Sequence, residues 1–105
     1  MGTACKQLHR RHLNKPISIS YNDEPVDFQT ARDLAFEVAR QHGSDPMLLA
    51  WFDRKRQRYS PQVECCGEDK PSWLVYAESR GGDIVVDIND LEYVFIFCDS
   101  HSLST

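Results

Sequence analysis

Several apolar runs in the second half of the chain are oily on both sides of the alternation that a strand imposes. Met47–Asp53, Trp73–Glu78, Asp83–Ile88 and Leu91–Cys98 follow one another across short polar connections, and each has the length of a strand. In the last of them Leu91, Tyr93, Phe95 and Phe97 share one side, while Glu92, Val94, Ile96 and Cys98 share the other. In Asp83–Ile88 the residues Ile84, Val86 and Ile88 oppose Asp83, Val85 and Asp87, and Met47–Asp53 is apolar on both sides almost to its end. A sheet built from such strands needs cover on both faces.

The sequence offers one clear amphipathic helix to supply it. Ala31, Leu34, Ala35, Val38, Ala39 and His42 fall on one stripe of a helix running from about Phe28 to His42, with Asp27 as the expected N-cap. Gly43 is expected to stop it in a left-handed conformation. Upstream, Ile17 to Tyr21 alternates like a half-buried strand. Met47–Asp53 and Tyr59–Cys65 read as a hairpin, with Pro61 demoting the second member to an edge or bulged strand. Trp73–Ser79 and Asp83–Ile88 read as a second hairpin across Gly81 and Gly82.

The fold class is therefore α+β: an antiparallel sheet of four to five strands with one amphipathic helix packed on one face. One helix leaves the second face bare. A homodimer formed sheet to sheet is the leading account of its cover, with Phe36, Val94 and Ile96 as interface candidates, and coverage by the N-terminal arm is the alternative. Residues 1–15 are expected to form a flexible arm, 16–98 a single domain and 99–105 a frayed tail.

A chain of 105 residues makes one domain of modest core, and a net charge of −4 gives no general attraction to nucleic acid or anionic membrane. No apolar stretch is long enough to span a bilayer, and the basic residues of the first fifteen precede no signal-like segment. The cytoplasm is the expected compartment, and Cys5, Cys65, Cys66 and Cys98 are read as thiols.

Three patterns carry potential chemistry. The loop Glu64-Cys65-Cys66-Gly67-Glu68 offers donors for zinc or iron, chiefly Cys65, Cys66 and Glu68, but adjacent cysteines lack the two-to-four-residue gap of a zinc knuckle. No cofactor is expected, and a metal- or thiol-dependent function at this loop is the alternative. A nucleophilic cysteine would need a base, and His9, His12, His42 and His101 lie near the termini or at the helix end. The basic tip Arg54, Lys55, Arg56 and Arg58 could grip phosphates, with Trp51 or Tyr59 stacking on a base, although charged hairpin tips also serve solubility. Asp83, Asp87, Asp90 and Glu92 cluster around the last turn and are read as solvated acids.

The segments Asp45–Asp53, Val63–Gly67 and Trp73–Gly82 together resemble a small uncharacterised family of anaerobic prokaryotes. That family has no assigned activity, so the resemblance implies a compact α+β domain and no functional residue, with Met1–Lys15 outside it. The function expected is that of a small non-catalytic binding or accessory module.

Overall fold

A computed structural model describes residues 8–21, 27–63 and 70–99. A 3₁₀ turn at Arg10–His12 is followed by β1 (Ile17–Ile19), α1 (Phe28–His42), β2 (Pro46–Asp53) and β3 (Arg58–Ser60). Then come α2 (Ser72–Ser79), β4 (Ile84–Ile88) and β5 (Tyr93–Asp99). The strands form one sheet in the order β1-β4-β5-β2-β3. The expectation of a purely antiparallel sheet is corrected at one edge: β1 runs parallel to β4, while the other neighbours are antiparallel. Parallel pairing is available there because β1 and β4 are far apart in sequence, and no tight turn dictates their relative direction.

The alternation read in β4 and β5 sorts their side chains between two cores. Ile84, Val86, Ile88, Tyr93, Phe95 and Phe97 pack with Ala31, Ala35 and Ala39 of α1. Alanine at those three positions lets the helix sit close over the large side chains of β5. Asp27 caps α1, its carboxylate accepting from the Thr30 N–H at 2.9 Å. Gly43 ends the helix differently from expectation, in an extended conformation at φ −152°. A Cβ there would lie 3.2 Å from both Asp99 Cγ and Ile84 Cδ1, so smallness rather than left-handedness is what the position uses. Asp99 closes the same corner by accepting from the backbone N–H groups of Ser44 and Asp45.

The second face carries the main correction. Trp73–Ser79 is not a strand but lies within α2, so the described residues hold two α-helices rather than one. Trp73, Leu74 and Ala77 from α2, with Leu8 and Leu13 from the arm, pack on Val85, Val94 and Ile96. The Trp73 indole is fully buried and stacks on Phe52 of β2, with centroids 5.4 Å apart and planes 7° apart. Gly81 and Gly82, read as a hairpin turn, instead finish the helix. Gly81 adopts φ +83°, its N–H donates to Glu78 O, and the Gly82 N–H reaches back to Ala77 O at 2.9 Å. These two bonds are the Schellman pattern that closes a helix. A five-residue apolar run such as Trp73–Ala77 has no period that separates helix from strand, and a Gly-Gly pair suits either end.

The surface surplus is thus absorbed within the chain. Val94 and Ile96, named as interface candidates, are fully buried beneath α2 and the arm, where they offer nothing to a neighbouring sheet. Leu91 also departs from expectation: it precedes β5 in a turn and joins the α2-side core. Pro61 does limit its strand, since β3 ends at Ser60 after three residues on the sheet edge.

Candidate functional site

A pin of charge holds the arm on the sheet. Asp87 belongs to the α2 side of β4, where its carboxylate is fully buried. It accepts from Ser18 Oγ at 2.8 Å and from Arg10 Nη1 at 3.1 Å. Arg10 spans outward to Asp90, its Nη2 lying 2.6 Å from Oδ1. These bonds and the two carboxylate charges hold the Arg10 guanidinium above its ordinary pKa, the hydrogen bond that it donates to Asp90 being the largest cause. The reading of Asp87 as a solvated turn acid is therefore corrected, because it is half of an internal ion pair.

Asp90 reaches Arg10 from an uncommon backbone. Asn89, Asp90 and Leu91 all have positive φ, at 54°, 58° and 72°. Asn and Asp accept this region more readily than most residues, whereas Leu does not. Asn89 stabilises the turn with its own side chain, Oδ1 accepting from the Tyr21 N–H and Nδ2 donating to Tyr21 O.

Next to the arm lies a cavity of about 390 Å³. Leu74 and Val85 form its apolar floor, Glu78 and Asp83 bring carboxylates, Asn14 brings an amide, and Gly81 and Gly82 complete the wall. Glu78 is already engaged with Lys70 Nζ at 2.6 Å. No atom lies within 4 Å of the place a Cβ would take at Gly81, so this side is open. The arrangement suits a small organic cation, with an apolar body over Leu74 and Val85 and a charged head toward Asp83. Neither Asn14 nor Glu78 was singled out from sequence. Asp83 was, but with the last turn rather than with α2.

The other candidate residues are distributed differently. Arg54, Lys55, Arg56 and Arg58 share the exposed connection between β2 and β3 or its rim. The turn is tied inward, with the Arg54 N–H donating to Glu92 O, the Arg56 N–H to Asp53 Oδ1, and Lys55 Nζ 3.8 Å from Glu92. Trp51 packs with the α1-side core and Tyr59 with the α2-side core, each ring partly buried.

Phe36, named as an interface candidate, is half-buried against the α1-side core of its own chain. Its ring meets Phe97 edge to face at 4.8 Å, with Arg32 and Arg40 above it. The whole of Glu64-Cys65-Cys66-Gly67-Glu68 lies outside the described residues, and among the described residues no group of three His, Cys, Asp or Glu could hold a metal. Cys98 is buried in β5, and burial first, then Asp83, pushes its thiol up, which suppresses the nucleophilic thiolate. No helix among the described residues is long and apolar enough to cross a membrane.

Comparison with known proteins places this geometry in a family. An uncharacterised protein of Archaeoglobus fulgidus, an anaerobic archaeon, is 39% identical over 70 residues, covering 67% of this chain and 74% of that protein. The crystal structure of a novel protein from Archaeoglobus fulgidus, AF1514, superposes with a TM-score of 0.67 at 32% identity, over 81% of this chain and 93% of that one. A family profile described as a domain of unknown function, DUF5619, matches residues 14–97. The resemblance read from sequence holds: the chain belongs to the DUF5619 family, whose function is unassigned.

Proposed function

We propose that the domain is a small non-catalytic binding module of the cytoplasm that takes a compact organic cation in the cavity beside α2. The observation that carries this reading is the pairing of an apolar floor, Leu74 and Val85, with the carboxylate of Asp83 and the amide of Asn14. Its size falls within the range of small-molecule pockets, roughly 300–1,000 Å³.

Isothermal titration with benzylamine, and with benzoate as an anionic control of the same size, tests the proposal. Benzylamine should bind and benzoate should not, and Asp83→Asn should weaken benzylamine about tenfold, the effect of losing one modest charge contact. Equal binding of the two probes, or an affinity indifferent to Asp83, contradicts the assignment.

The alternative is a metal- or thiol-dependent function at Cys65, Cys66 and Glu68. Its support is the donor set in the sequence, and metal content of the purified protein decides it, with zinc or iron lost on replacing both cysteines favouring that reading. For the basic tip, the tether to Glu92 and the packing of Trp51 and Tyr59 against the cores favour a solubility role over nucleic-acid binding.

A further inference from the structure

We infer that Lys70 sets the charge selectivity of the cavity: by holding Glu78 it leaves Asp83 as the uncompensated carboxylate of the wall, so the site selects organic monocations over dications. This deepens the cation-site reading above and rests on it.

The charges meet at one end of α2. Glu78 stands in the last turn of the helix, Gly81 and Gly82 close it, and Asp83 follows directly. A carboxylate in a last turn faces the negative end of the helix dipole, where a cation is favoured. Lys70 supplies that cation from the other end of the helix. It precedes Pro71, and its ammonium donates to Glu78 Oε1 at 2.6 Å. The two side chains are 31% and 36% exposed, so the pair is partly shielded from water and its attraction is less screened than at an open surface.

The two acids of the wall are therefore unequal. Among the described residues, the Asp83 carboxylate has neither a hydrogen-bond nor an ion-pair partner. Arg80, also at this end of α2, lies over the Tyr76 ring at 4.8 Å from its centroid and is not part of the lining. With Lys70 in place, the two acids present the net charge of one carboxylate. A monocation neutralises it while its apolar body lies over Leu74 and Val85. A dication brings a second ammonium to a wall whose other acid already holds one. It must displace Lys70 or leave water without a partner.

A pair that merely clips the two ends of α2 would behave differently. Breaking such a clip lowers stability but does not change which cation is preferred.

Isothermal titration of the full chain with benzylamine and with para-xylylenediamine, its doubly charged counterpart, separates these roles. The protein should bind benzylamine more tightly than the diamine. Lys70→Gln removes the charge and keeps a donor for Glu78, whereas Lys70→Met removes both. Each should move the ratio of the two affinities toward the diamine by about fivefold, the effect of one gained charge contact in a partly exposed wall.

Benzylamine binding with a ratio that neither variant moves overturns the role of Lys70 and leaves the cation site standing. A diamine preferred by the unaltered protein also overturns the selectivity alone. Binding of neither amine, by the protein or its variants, overturns the cation site and this inference together.

Discussion

Asp87 stands where the sheet would otherwise be apolar, and its partner Arg10 comes from outside the shared domain. The two ends of the pair are in unlike surroundings: the Asp87 side chain is fully buried, whereas Arg10 is 45% exposed. Removing the arginine strands a carboxylate where water does not reach, leaving only Ser18 to satisfy it. Removing the carboxylate charge leaves an arginine that can still bond Asp90 or turn to solvent. Arg10→Ala should therefore lower the urea midpoint more than Asp87→Asn, although both break the same ion pair. Equal midpoints would show that the pair is exposed to water. This asymmetry was not legible in the sequence. Asp87 sat among acids near a turn, and nothing in the spacing of Arg10 linked it to a strand seventy-seven residues away.

At the scale of elements, α1 was legible and α2 was not, for a definite reason. The stripe of α1 repeats over fifteen residues with Asp27 at its start, enough turns for a period to show. Helix α2 has eight residues and is apolar on several sides because Trp73, Leu74 and Ala77 are buried between sheet and arm. Its stop signal, Gly81-Gly82, is shared with hairpins. The ending makes a sharp prediction. A Cβ at Gly82 would lie 2.7 Å from Ile96 Cγ2 and 2.8 Å from Ala77 O. The carbonyl belongs to the bond that closes the helix and cannot retreat without breaking it. Gly82→Ala should cost about 1–3 kcal/mol, the usual penalty of overpacking, read from chemical denaturation. A cost near zero would mean that the end of α2 is loose.

For the molecule as a whole, the two-faced character of β4 and β5 was correctly read, and its consequence was not. Tyr93, Phe95 and Phe97 do oppose Val94 and Ile96, and each set is buried. The inference that a second molecule must cover one face assumed that helical cover stopped at α1. Two further pieces, α2 and the arm, complete a layer on the other side. Burial of side chains such as Val94 and Ile96 contributes roughly 1.5–3 kcal/mol each, so both covering pieces are held by packing rather than by helix propensity. The cavity formed where they meet was illegible for the same reason, since it depends on Asn14 and Asp83 approaching one end of a helix that had been read as a strand.

The central claim is that the chain covers both faces of its own sheet by making α2 a helix. A nuclear Overhauser spectrum of the intact protein tests it directly. The account predicts sequential amide–amide contacts through Ser72–Ser79 and ring contacts between Trp73 and Phe52. Cross-strand contacts pairing Trp73–Ser79 with Asp83–Ile88 as a hairpin would contradict it.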